Sequence, residues 1–106
     1  MLNKVGNTLK SRFTQERVRC QAIMDILSLV SNKTRFQILC ALHEDDFCVN
    51  ELVEIVGGKM SNVSQQLKSL SLAGIVARRR EDQRIIYSLS DERVRNLLTY
   101  LQEQWK

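Results

Sequence analysis

The chain has no proline and only four glycines in 106 residues. With no proline to break a helix, Gly57-Gly58 is the one obvious interruption. No stretch approaches the ~18 consecutive apolar residues of a membrane-spanning helix. The first twenty residues, MLNKVGNTLKSRFTQERVRC, are too polar for a secretory signal, so a cytoplasmic place is expected. The three cysteines, Cys20, Cys40 and Cys48, are odd in number and form no CxxC pair. That argues against the disulfide framework of a small secreted domain. A single histidine, no convincing nucleophile–base pair and no glycine-rich phosphate loop leave little for an enzyme to work with. Internal repeats and low-complexity tracts are also missing.

What remains is 43% hydrophobic residues and a formal charge of +4. The length fits one domain. A chain this short buries a modest fraction of its surface, so pairing with a second copy would help it. The charge alone points only weakly toward nucleic acid.

Residues 1–10 read as a flexible N-terminal arm, and 11–106 as the folded domain. From Ser11 to Val30 the pattern is helical. Phe13, Cys20, Ile23, Met24, Leu27 and Val30 give much of a stripe, widened by Ile26 and Leu29. So broad an apolar arc implies cover on two sides, one by the domain and one by a partner chain. A second helix is expected over Asn32 to His43, capped by Ser31 or Asn32. Phe36, Leu39, Cys40 and Leu42 form its inner face. Arg35 is expected to point outward or to pair with a carboxylate. Glu44-Asp45-Asp46 reads as a solvated turn, and His43 beside it as a surface histidine. A third helix covers Val49 to Val56, with Leu52, Ile55 and Val56 inward.

The sequence then turns at Gly57-Gly58 into KMSNVSQQLKSLSLAGIV, Lys59 to Val76. Val63, Leu67 and Leu70 fall at i, i+4 and i+7, a stripe to be buried. The other side carries Ser61, Gln65 and Lys68, with Asn62 and Ser69 beside them, Ser64 on the flank and no carboxylate; DNA contacts are expected from Lys59, Ser61, Asn62, Ser64, Gln65 and Lys68. Donors and acceptors with cations beside them suit base-pair edges lined by phosphates. Helix, glycine turn and polar-faced helix together make a helix-turn-helix. Gly74 ends the second of these helices.

Ala77 to Arg80 and Arg84 to Leu89 read as two strands around Glu81-Asp82-Gln83. Ile85, Tyr87 and Leu89 alternate, marking a buried face. Arg78, Arg79, Arg80 and Arg84 crowd the tip, as a phosphate-gripping hairpin would. A last helix follows from Asp91 to Trp105, with Val94, Leu97, Leu98, Leu101 and Trp105 as its apolar stripe. The expected fold is therefore mainly α with a small β-hairpin. A homodimer is expected through the first and last helices, with Phe13, Ile23, Leu27, Val94, Leu97, Leu98, Leu101 and Trp105 at its interface. The expected partner is double-stranded operator DNA, and no membrane is involved.

SNVSQQLKSLSLAGIV followed by RRREDQRIIYSLSD resembles the ArsR/SmtB family of bacterial winged helix-turn-helix regulators. LSLVSNKTRFQILCAL and DFCVNEL are similar to its opening-helix and metal-binding phrases. The likeness covers about residues 24 to 101. It implies a homodimer on a pseudo-palindromic operator, a repressor until an inducer arrives. Position by position, it puts recognition contacts on Ser61, Ser64 and Gln65 and the wing contact on Arg78 to Arg84.

The chain departs from the family at its inducer sites. The Cys-x-Cys phrase of the metal sensors is here Cys48-Val49-Asn50, one thiolate short. The Asp-x-His pair of the last helix is Asp91 with Arg93, and arginine cannot replace a histidine ligand. A further branch senses oxidants or persulfides with two cysteines, one in an ILCAL-like context as at Cys40. The other lies on the last helix, where this chain has none. A Cys20–Cys40 pair would need Cα atoms within about 7 Å. Three thiolates can also hold a soft ion such as As(III), Cd(II) or Cu(I), so a thiolate-bound metal ion stays open, with no other cofactor expected. The alternative reading of Cys20, Cys40 and Cys48 is as inert buried thiols. Two alternatives stand beside the inducible repressor: a DNA-binding regulator with no inducer site, and a winged-helix module that binds protein.

Overall fold

The computed structural model describes residues 1–105. The helices are α1 (Lys4–Gln15), α2 (Arg17–Val30), α3 (Lys33–Glu44), α4 (Val49–Val56), α5 (Met60–Leu72) and α6 (Glu92–Gln104). Strands β1 (Phe47–Cys48), β2 (Val76–Glu81) and β3 (Arg84–Leu89) form one antiparallel sheet in the order β1-β3-β2. The expected class, helices with a small hairpin arranged as a winged helix-turn-helix, is what the chain adopts.

The core is built on α3. Its Ile38, Leu39 and Leu42 meet Leu52 of α4, Val63, Leu67 and Leu70 of α5, and Val94 and Leu98 of α6, closed by Ile75, Val76 and Leu89. Each fully buried aliphatic side chain contributes about 1.5–3 kcal/mol, so the i, i+4, i+7 stripe of α5 anchors that helix firmly. Ile26, Leu29 and Val30 of α2 pack on this core, while Ile23, Met24 and Leu27 on its other flank are about half exposed or more. One side of the broad apolar arc is thus covered by the chain itself, and the other is left exposed.

Several expectations need correction. The first helix begins at Lys4 rather than Ser11 and is broken at Glu16, giving α1 and α2. The segment expected as an arm is helical because Asn3 caps it, its side chain accepting from the Gly6 N–H at 2.8 Å. None of α1 is buried. On α3, Ile38 is buried as well and Phe36 is exposed, while Cys40 packs half-buried against the core as expected. On α4, Ile55 is exposed, and Val53 packs on the core with Val56. The expected hairpin gains a third strand, because Phe47 and Cys48 pair with Tyr87 and Ile86. As the middle strand, β3 has neighbours on both edges. Ile86, opposite Cys48 and Arg79, is buried along with Leu89, while Ile85 and Tyr87 are only half-buried. The hairpin turn is two residues, Asp82-Gln83, with Asp82 at φ 57°, a left-handed conformation that aspartate tolerates. Val94 and Leu98 of α6 are sealed inside their own chain and leave the set of interface residues.

Candidate nucleic-acid interface

The reading helix is delivered by the turn between α4 and α5. Gly57 closes α4 at φ 73°, its N–H reaching Val53 O at 2.9 Å. A side chain there would meet nothing within 4 Å, so backbone angle rather than space demands glycine. Gly58 has no such angle and would bring a Cβ to 3.4 Å from Val63 Cγ2. Only one of the two glycines is therefore required by the turn. Lys59 caps α5 without a side-chain hydrogen bond. The first N–H groups of α5 thus stay open at its positive end, where phosphates bind.

Val63, Leu67 and Leu70 are fully buried, and Lys59, Ser61, Asn62, Ser64, Gln65 and Lys68 are exposed. The helical period alone produces this division. Among the described residues, Ser61, Ser64, Gln65 and Lys68 have no side-chain partner within the chain. Asn62 differs: its Nδ2 donates to Thr34 Oγ1 at 3.4 Å and its Oδ1 accepts from Gln66 Nε2 at 3.3 Å. It stands at the flank of the reading face, tied toward α3.

The wing arginines divide by strand alternation. Arg79 lies on the side of the ladder occupied by Ile86, Arg84 and Cys48. Its Nη1 donates to Asp46 Oδ2 at 2.8 Å and its Nε to Glu81 Oε2 at 3.2 Å. The bond to Asp46, and then that to Glu81, raises the Arg79 pKa further above the arginine value. Arg84 sits 4.0 Å from both Glu51 Oε1 and Cys48 Sγ. Glu51 also accepts from the Cys48 N–H at 2.9 Å, which holds its carboxyl below the usual range. Arg78 and Arg80 lie on the opposite side of the strand, exposed and without an acidic partner among the described residues. The acidic turn is thus more than solvated polar chain: Asp46 ties the wing down. Of the four clustered guanidiniums Arg79 is held, Arg84 lies at the outer limit of an ion pair with Glu51, and Arg78 and Arg80 have no acidic partner among the described residues.

The candidate sensor groups are scattered. Cys20 on α2, Cys40 on α3 and Cys48 at the head of α4 are all free thiols. Cys40 lines a cleft with Phe36, Ala41, Ile55 and Val56. Burial, and then the nearby Glu44 carboxylate, push its thiol pKa up. The Asp91 carboxyl caps α6 by accepting from the Val94 N–H at 3.1 Å and is paired with Arg93 at 3.0 Å. Arg93 first, with the Val94 N–H, holds it below the ordinary carboxylate range. Neither family metal site fits the side chains present: one lacks its second thiolate, and the other's carboxylate is engaged by a cation. Among the described residues no group of three or more metal-ligating side chains comes together. His43 is not a surface group. Its side chain is 15% exposed, with Nε2 2.8 Å from Thr99 Oγ1 of α6 and Nδ1 3.6 Å from Glu44.

Comparison with known proteins bears on the same segments. Residues 32–78 match the family model described as "Bacterial regulatory protein, arsR family". The chain is 30% identical over 103 residues to the biofilm growth-associated repressor of Xylella fastidiosa, covering 95% of this chain and 90% of that one. It is 37% identical over 76 residues to the HTH-type transcriptional regulator KmtR of Mycobacterium tuberculosis, covering 72% of this chain and 58% of KmtR. The homodimeric winged helix-turn-helix DNA-binding domain of Mb0332 from Mycobacterium bovis superposes with a TM-score of 0.64 at 30% identity, covering 79% of this chain and 82% of that one. A glycine-turned helix pair with a carboxylate-free outer face, an arginine wing and these likenesses lead to one conclusion: the chain belongs to the ArsR/SmtB family of winged helix-turn-helix transcriptional regulators, DNA-binding proteins and not enzymes.

Proposed function

We propose that the protein is a homodimeric repressor that reads a two-fold operator with paired α5 helices and is released by an inducer acting at a thiol. The observation that carries the reading is the outer face of α5. Ser61, Ser64, Gln65 and Lys68 are exposed, unpartnered and clear of any carboxylate. Gln65 and the hydroxyls read base edges in the major groove, and Lys59 and Lys68 sit against phosphates. Arg78 and Arg80 hold the flanking backbone, with Arg79 and Arg84 bracing the wing.

Dimerisation through α2 and α6 is supported by what those helices leave uncovered. Ile23 and Leu27 are half exposed and Trp105 80% exposed, beside half-buried Leu97 and Leu101. Ala22, Ile23, Ile26, Leu27 and Leu97 line an apolar cleft between the two helices, bordered by Arg19 and Arg93. Phe13 adds an exposed ring from α1. Contiguous exposed apolar surface of this kind marks an interface, and the similar Mb0332 domain is described as homodimeric. Half-sites about 34–36 Å apart would meet both α5 helices from one face of a duplex. None of the described helices is long and apolar enough to cross a membrane, and a cytoplasmic place goes with operator binding.

The test is Gln65→Ala. Operator affinity should fall about 10–100-fold, the worth of a good base contact, while sedimentation still shows the dimer. Affinity equal to the parent's would remove α5 as the reading surface. For the inducer, Cys40 is the half-buried thiol beside a cleft. Cys40→Ser should abolish release from DNA by oxidants or thiophilic metal ions, and a retained response would exclude that thiol.

A further inference from the structure

Arg35 was expected to face solvent or an acid, and it does neither. It is half-buried and has no carboxylate partner among the described residues. Instead it lines a cleft together with Asp25, Ser28 and Leu29 of α2 and Ser69 of α5. Its Nε donates to Leu29 O at 2.7 Å and its Nη1 to Gln66 Oε1 at 3.1 Å. Leu29 O belongs to the last turn of α2, where carbonyls lack intrahelical donors and the helix dipole favours a cation. The Gln66 amide continues to Asn62, and Asn62 to Thr34 beside Arg35. One guanidinium thus couples the end of α2 to the flank of α5. The hydrogen bonds run in a chain from Leu29 O through Arg35, Gln66 and Asn62 to Thr34.

We propose that Arg35 and Gln66 are positioning residues that set the angle of α5 against α2, and through it the half-site spacing that the dimer accepts. This rests on the reading that α2 lies in the dimer seam and α5 on DNA. The planar guanidinium fixes the directions of both bonds at once, which an ammonium does not. Small angles matter at this joint. A tilt of about 10° moves the far end of a helix about 20 Å long by about 3 Å, close to the base-pair rise of about 3.4 Å. Neither Arg35 nor Gln66 belongs to the set placed on DNA, so their removal acts on geometry and not on contacts.

The experiment selects an operator from a random duplex pool with the parent protein. Affinity is then measured for that duplex and for versions with one base pair added or removed between half-sites. Arg35→Lys and Gln66→Ala should each weaken binding to the selected duplex about tenfold, the worth of a hydrogen bond to a charged group. Both should also bind the altered spacings within about threefold of the original, and the double variant should lose no more than the worse single one. Discrimination against base changes within a half-site, affinity for a generic duplex and dimer association should remain those of the parent. Gln66→Ala changes a half-buried helical residue to a strong helix former, so it decides the matter should Arg35→Lys not fold. If the parent selects paired half-sites and the variants keep its spacing preference or lose affinity additively, the joint is refuted alone. A parent that selects an unpaired half-site refutes the joint and the dimer reading together.

Discussion

Arg79 and Arg80 are neighbours in sequence with opposite surroundings. Arg79 is held by Asp46, 33 residues away, and by Glu81, while Arg80 faces outward unpaired. A phosphate contact releases counterions, and each one adds about 0.9 to the slope of log affinity against log salt on duplex DNA. The double variant Arg78→Ala/Arg80→Ala should therefore bind all DNA more weakly, with a salt slope flatter by up to about 2 per wing. Arg79→Ala should change the slope less, because its charge is already opposed. A titration of fluorescence anisotropy across salt concentrations distinguishes them, and equal slopes for the two variants would dissolve the division of the wing. The sequence showed a cluster of arginines. Beyond the neighbouring Glu81, it could not show which were held, because Asp46, Cys48 and Glu51 lie more than thirty residues away in sequence.

At the scale of elements, α6 carries an acid-sensitive cap. Its N-terminus is closed by Asp91, whose carboxyl is kept below the ordinary range chiefly by Arg93 and further by the Val94 N–H. A group lowered in the folded state lends stability above its unfolded pKa, and that stability disappears as pH falls through the folded value. Asp91→Ala should cost about 1 kcal/mol near neutral pH, the usual worth of an N-cap. The gap to the parent should close as pH drops through the acid range, read by urea unfolding. A gap that widens with acid would contradict the assignment. The periodic helices were legible in the sequence because burial on one face imposes a repeat: Val63, Leu67 and Leu70 are buried as their spacing requires. β1 was not legible, since two residues carry no period. The break at Glu16 was hidden for another reason. Both sides of it have helical patterning, and no proline or glycine marks the join.

At the scale of the molecule, the chain is elongated, 61 × 31 × 22 Å, with α1 extending from the body without a buried residue. Leu27→Glu places a charge in the seam proposed for two copies, on a side chain 51% exposed in one. It should dissociate the dimer at concentrations where the parent is paired, remove the dependence of Tm on concentration, and leave helical content unchanged. Analytical ultracentrifugation with circular dichroism checks this, and an intact dimer would move the seam elsewhere.

The sequence by itself determined the helix-turn-helix, the inward stripe of α5 and its carboxylate-free outer face, because periodicity and local charge are properties of neighbouring residues. Only the tertiary structure decided that Val94 and Leu98 belong to the core and not to an interface, that Asp46 restrains Arg79, and that Arg35 joins α2 to α5. Those pairings join residues from separate elements, and separate elements meet only when the whole core closes.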